Sequence, residues 1–202
     1  MDAQHWDERY SSRDRLFSGN PNGVLVTEAA DLPPGRALDV GCGEGGDALW
    51  LAGRGWQVTA VDISQVALDR AAAAAVGAGV PGRVTWRQAD VATTPPPDGP
   101  FDLVSLQYLP LRVEPGHAAL GRLLAVVAPG GTLLVGGHDV ADLSPDDHHG
   151  FDPADYYQPD DVAKLLDRHW IVEVDERRPR TTPPPEGSHH THDTVLRARR
   201  RP

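Results

Sequence analysis

The chain has 202 residues, a formal charge of −10 at neutral pH and one cysteine, which is enough length for one α/β domain with a core of its own. The negative balance argues against a protein that tracks a phosphate backbone, and a lone Cys42 leaves no internal disulfide and fits a reducing, cytoplasmic setting. No stretch approaches the roughly 20 apolar residues of a membrane span, and MDAQHWDERYSS has no apolar run of the secretory type. The basic tail LRARRRP is short and reads as the solvated end of a strand.

The segment 1–32 precedes the first apolar run and is expected to form a helical N-terminal cap. Arg36–Val40 is predicted as a strand, Gly46–Arg54 as a helix and Gln57–Ile63 as a strand. Ser64 is placed to cap an alanine-rich helix over Gln65–Val76. Arg83–Asp90 and Phe101–Leu106 read as strands. Pro115 is expected to open a helix over Gly116–Val127, since a missing N–H costs nothing in a first turn. Ala128-Pro129-Gly130-Gly131 is expected to stop it before a strand at Thr132–Gly137. A helix from Gln158 to about Arg168 follows, then strands at Ile171–Arg177 and Thr194–Arg199. Two proline-rich runs, TTPPPDGP and TTPPPEGSHH, read as loops.

Strands and helices alternate, which predicts one Rossmann-like, doubly wound sheet with helices on both faces. It has seven strands, mostly parallel. The last two lack a helix between them and should pair as a long hairpin, making one strand antiparallel. The whole chain is expected to be one domain, with the cap at 1–32 and the Rossmann-like core at 36–202.

The chemistry concentrates first in DVGCGEGGDALWLA, with four glycines within residues 41–46. Gly41, Gly43 and Gly46 satisfy GxGxxG, and Asp62 follows about 20 residues on, as in a dinucleotide site. Alone, that pattern is weak. Three features favour S-adenosylmethionine over NAD. Asp39 and Glu44 flank the turn, and anionic side chains suit an ammonium and a sulfonium better than a pyrophosphate. A second acid, Asp90, ends the third strand, where an adenine amino group can donate to it. The chain is also too short for a separate substrate domain.

DVGCGEGGDALWLA, VTAVDIS, the acid of QADV, FDLVSLQYL and VAPGG resemble the successive motifs of class I S-adenosylmethionine-dependent methyltransferases. The resemblance runs from about Trp6 to Arg200, and is strongest to small bacterial enzymes of the tellurite-resistance and thiopurine type. It implies that Gly41 and Gly43 let the backbone approach the methionine part, while Asp39 and Glu44 place its charged end. Cys42 packs in the same turn and is not a nucleophile. Asp62 accepts from the ribose hydroxyls, Ile63 lies against the adenine, and Asp90 and Val91 read the adenine edge. Gln107 and Tyr108 line the methyl-donor side. S-adenosylhomocysteine would be the product. In similar enzymes the N-terminal segment, here carrying Trp6 and Tyr10, closes over cofactor and substrate.

For the acceptor, the residues point to a hydroxyl on a small polar molecule such as a sugar. The candidate general base is His138, at the end of the fifth strand, oriented by Asp139. The run DVADLSPDDHHGFDPADYY supplies His148, His149 and Tyr157 as candidate substrate contacts, and His192 enters from the last strand. The competing reading is detoxifying methylation of a thiol, tellurite or another chalcogen, which has no need of His138. No ligand spacing supports a zinc site; a Mg²⁺ held partly by substrate oxygens is the alternative to no metal. The expected partner is a small molecule, with no nucleic acid or membrane, and the chain is expected as a monomer or homodimer.

Overall fold

The computed structural model describes residues 2–80, 82–142, 152–182 and 190–202. Seven strands are present among them: β1 (Arg36–Val40), β2 (Gln57–Asp62), β3 (Val84–Gln88), β4 (Phe101–Gln107), β5 (Val127–His138), β6 (Trp170–Pro179) and β7 (His192–Arg200). They form one sheet in the order β3-β2-β1-β4-β5-β7-β6. β7 runs antiparallel to both of its neighbours, β5 and β6, and the remaining pairs are parallel. The strand order reverses between β1 and β4, which opens a crevice at their carboxyl ends.

Alternation along the central strands divides the core into two layers. Leu38, Val104, Leu133 and Leu196 face one layer, and Ala37, Leu103, Leu134 and Val195 face the other. The first layer is covered by α5 (Ala118–Ala125) and α6 (Pro159–Leu165) through Leu120, Leu123 and Val162. The second is covered by α2 (Gly23–Ala29), α3 (Gly46–Gly53) and α4 (Gln65–Gly77) through Leu25, Leu51 and Leu68. This is the expected two-faced sheet. β4 is buried at every position but Asp102, so its residues do not alternate between core and solvent.

Several boundaries differ from the sequence expectation, each for a local reason. The N-terminal cap is two helices, α1 (Ala3–Ser11) and α2, separated by a turn-rich segment. Pro115 does not open α5. The helix starts at Ala118, behind Gly116 and His117 in the left-handed region, with Glu114 accepting from the Ala119 amide at 2.5 Å. Ala128-Pro129-Gly130-Gly131 lies within β5: pairing with β4 runs Phe101↔Val127 and resumes at Leu103↔Thr132, so the four residues bulge out and the proline's missing donor is harmless there. α6 stops at Leu165, and the two final strands run farther than expected because the hairpin ladder extends from Trp170↔Arg200 to Pro179↔His192. Among the described residues no helix is long and apolar enough to cross a membrane.

The two layers make a stability contrast measurable by urea unfolding. Leu134→Ala empties a fully buried position and is expected to cost about 2–5 kcal/mol. Val172→Ala, on the outer strand and 46 % exposed, should stay within about 0.5 kcal/mol of the parent.

Candidate active site

The turn after β1 is built by backbone conformation. Gly41 and Gly43 have φ of 73° and 52°, a region costly for other residues. A Cβ on Gly41 would lie 2.6 Å from Leu109 Cδ1, and one on Gly43 would lie 2.8 Å from the Tyr10 hydroxyl. The Gly41 and Cys42 amides both donate to the Val61 carbonyl, at 2.8 and 3.1 Å, which binds the turn to the end of β2. Asp62, the last residue of β2, accepts from the Gly43 amide at 2.8 Å and the Ser64 amide at 2.9 Å. Burial raises the pKa of Asp62, opposed by these bonds.

Asp39 is 2 % exposed and its Oδ2 has no hydrogen-bond partner. Desolvation, then the charges of Asp47 and Asp62, push its pKa well above the usual carboxylate range. A buried acid with an unused oxygen, beside a turn with no room for side chains, fits a ligand bearing a cationic group. The residues present therefore suit S-adenosylmethionine, with Asp39, Gly41, Gly43 and Asp62 as those that would hold it. The Cys42 thiol is pushed up by burial and the neighbouring acids, which keeps it a packing group.

Other expected cofactor contacts are engaged differently. Glu44, expected at the charged end of the ligand, accepts from the Leu16 and Phe17 amides at 3.1 and 3.0 Å and pairs with Arg70 at 2.9 Å. Its charge pins the N-terminal segment to the glycine turn. Asp90 closes its own turn, accepting from the Ala92 amide at 2.9 Å and the Thr93 hydroxyl at 3.2 Å, and Val91 packs on the first core layer. Ile63 is half-buried, and its carbonyl accepts from Gln88 at 3.2 Å. Gln107, buried at the end of β4, donates to Ser105 Oγ at 3.1 Å and keeps Oε1 unpartnered.

The N-terminal cap sits on the glycine turn. Tyr10 is buried beside Gly43, with Trp6 and Phe17 each 6.0 Å away, centroid to centroid. Burial, with Asp62 next, raises its hydroxyl pKa. Tyr10 thus packs on the glycine turn with Trp6 against it, and neither is among the residues lining the pocket at the ends of β4 and β5. Asp7 was not singled out from the sequence. It accepts from the Ser64 hydroxyl at 2.5 Å and the Val66 amide at 3.2 Å, latching α1 to the start of α4.

A pocket of about 260 Å³ opens at the carboxyl ends of β4 and β5, closed by residues 153–159. Its walls are mainly Leu, Val, Pro and Tyr side chains, with Tyr108 and His138 among its polar members. Leu109 lines it and also meets Gly41, so the pocket abuts the glycine turn. Tyr108 has φ of 54°, a strained conformation for a non-glycine residue at a strand end. Its hydroxyl donates to Asp193 at 2.9 Å. Burial, then the Asp193 charge, raises the Tyr108 pKa. Tyr157 is a wall of the pocket, its hydroxyl 2.6 Å from His117 Nδ1.

His138 lies at this pocket but lacks the partner expected for a base. Its ring stacks on His190 at 4.0 Å and tilts against Tyr108 at 4.4 Å, and Nδ1 is 3.2 Å from Arg180 Nη1. Burial, then the neighbouring His190 and Arg180, lowers its pKa to about 3. Asp139 pairs with Arg177 and accepts from the Ala141 amide at 3.1 Å; among the described residues it makes no bond to His138. The His138–Asp139 pair is therefore corrected: their side chains serve different partners. His192 is also drawn elsewhere, its amide donating to Asp142 at 2.7 Å, and it does not line the pocket. His148 and His149 lie outside the described residues. No three His, Cys, Asp or Glu side chains converge as metal ligands among the described residues.

The glycine turn and the acid ending β2 both lie in the stretch 37–131, which matches a family model described as a methyltransferase domain. An uncharacterised methyltransferase of Mycobacterium tuberculosis is 38 % identical over 112 residues, 55 % of each chain. The 27-O-demethylrifamycin SV methyltransferase of Amycolatopsis mediterranei is 31 % identical over 140 residues, 65 % of this chain and 48 % of its own. The chain thus spans about half the length of these curated relatives. A solved structure described by the conversion of a disulfide bond into a thioacetal group during echinomycin biosynthesis shares the fold, with a TM-score of 0.78 at 24 % identity over 98 % of this chain and 91 % of the other.

Two measurements test this geometry. Asp62→Ala should weaken S-adenosylhomocysteine binding at least tenfold by calorimetry, since about 1.4 kcal/mol is tenfold and a charge-assisted bond exceeds that. His138 has a folded pKa below its ordinary 6.5, so the unfolded chain binds the extra proton between those values. Its contribution to stability is present above about pH 6.5 and lost as pH falls towards 3. Thermal unfolding of His138→Gln should therefore lose less on acidification than the parent.

Proposed function

We propose that this chain transfers a methyl group from S-adenosylmethionine to a small acceptor with an apolar body, and that the reacting atom is a thiol sulfur. The observation that carries this reading is a mainly apolar pocket that abuts the glycine turn yet, among the described residues, offers no strong base. His138 is held neutral down to about pH 3, which makes it a weak proton acceptor. Asp193 is paired with Arg180 at 2.7 Å and Asp139 with Arg177. An alcohol would need one of these to take its proton. A thiol ionises near neutral pH and releases its proton to water.

When bound, S-adenosylmethionine supplies an electrophilic methyl carbon on a sulfonium whose charge disappears on transfer. The chain's own residues then have the tasks of alignment and water exclusion, which contribute several kcal/mol in favourable cases, on the order of 7–11. Leu109, Leu111, Val135 and Val162 surround the apolar body and keep it dry. Tyr108 presents its ring at the junction with the cofactor turn, fixed by the bond to Asp193.

A sugar acceptor fits this pocket less well, because its hydroxyls would find few partners on aliphatic walls. The second reading is a hydroxyl that ionises readily, as in a phenol; similarity to the 27-O-demethylrifamycin SV methyltransferase favours it.

The test uses S-adenosylmethionine labelled in its methyl group with separate pools of apolar thiols, phenols and sugars. Label is expected on thiols, with His138→Ala lowering kcat/KM about tenfold or less, against the 10²–10⁴-fold typical of a lost general base. Label on sugar hydroxyls alone, abolished by His138→Ala, would overturn the reading.

A further inference from the structure

We propose that Arg180 is a positioning residue that fixes the His138 ring with its proton on Nε2, so that the ring brings a hydrogen-bond donor, and not a base, to the acceptor pocket. The inference rests on that pocket being the methyl-acceptor site.

Arg180 follows β6 directly, and its amide donates to the Thr191 carbonyl at 3.0 Å, continuing the hairpin ladder. Its side chain is 9 % exposed. Nη1 donates to Asp193 Oδ1 at 2.7 Å and lies 3.2 Å from His138 Nδ1 and 3.5 Å from the Tyr108 hydroxyl. The guanidinium stands 5.4 Å from the Tyr108 ring centre. A guanidinium has donors and no acceptor. Nδ1 of His138 must therefore offer its lone pair, and in a neutral imidazole the proton then sits on Nε2.

Several described neighbours hold this arrangement. Asp193 is opposite His138 in the β5–β7 ladder and is itself buried, so the cation it pairs with is kept at the ring. Tyr108 donates to the same Asp193 oxygen at 2.9 Å. His190 stacks on the free face of the ring, and a second imidazole there also disfavours an imidazolium. Asp142 is the charge that acts the other way, and it is taken up by the Thr191 and His192 amides at 2.6 and 2.7 Å. A neutral ring with Nε2–H suits an acceptor that arrives as an anion, since a donor stabilises a thiolate and cannot deprotonate a thiol.

The experiment reads the ring directly. The full chain is labelled with ¹⁵N-histidine, and long-range ¹H–¹⁵N correlation spectra are recorded from pH 5 to 8, with His138→Gln identifying the signal. In the parent, His138 is expected with the proton on Nε2 and no titration across that range. In Arg180→Met the ring should exchange between tautomers and begin to titrate, and Arg180→Lys, which can still donate, should restore the Nε2–H form. With a thiol acceptor, Arg180→Met should lower kcat/KM about tenfold, the worth of one lost hydrogen bond at the upper end of its range, and add an acidic limb to its pH profile. Arg180→Leu, which likewise cannot donate, with an unchanged thermal midpoint serves if the methionine variant does not fold. A proton on Nδ1 in the parent, or a tautomer indifferent to both the Met and Leu variants, would overturn the proposal. The spectra need no acceptor, so they stand or fall separately from the thiol assignment.

Discussion

The carboxylate of Asp62 holds together most of what faces the donor. One oxygen takes the amide of Gly43 and the other the amide of Ser64, so a single side chain couples the glycine turn after β1 to the start of α4. Ser64 then caps α4 through the Ala67 amide and donates its hydroxyl to Asp7 of α1. The N-terminal cap, the turn and the second crossover thereby share one anchor at the end of β2. Burial makes these bonds strong and makes their loss costly, because an unpaired carboxylate there would have no water to turn to.

The acceptor side obeys a different constraint. The charges around the ends of β5, β6 and β7 are neutralised in place: Arg180 with Asp193, Arg177 with Asp139, and Arg178 with Glu28 of α2. What remains for the pocket is mostly hydrocarbon, with a neutral imidazole and a phenol at its edge. The strained backbone of Tyr108 is paid for by the ladder bond from its own amide to Gly136 at 2.7 Å and by its link to Asp193.

Much of the fold was legible because short apolar runs alternate with glycine and capping signals. β1, β2 and α4 came within one residue of their bounds, and the unhelixed final pair was readable as a hairpin. Pro115 misled because a local preference was outweighed by the left-handed residues Gly116 and His117, which no propensity announces. The glycines and Asp62 of the cofactor turn were legible since their work is local to strand ends. The protein partners of Glu44 and Asp139 were not, because they lie far along the chain: Leu16 and Phe17 for one, Arg177 for the other. Arg180 was missed for the same reason, although its place just after β6 and opposite Thr191 was a usable signal once the hairpin was drawn.

The antiparallel β7 has a consequence for how such a chain can diverge. By entering between β5 and β6 it carries Asp193 to the Tyr108 hydroxyl, and the hairpin brings Arg180 to His138, while Asp39, Gly41, Gly43 and Asp62 come from β1 and β2 and the turn between them. On the function proposed above, the residues for donor and acceptor are therefore encoded in separate stretches, with β4 between them in the sheet. Drift in the hairpin can retune what is methylated while the turn that holds the methyl source stays untouched, so the two halves are free to evolve at different rates.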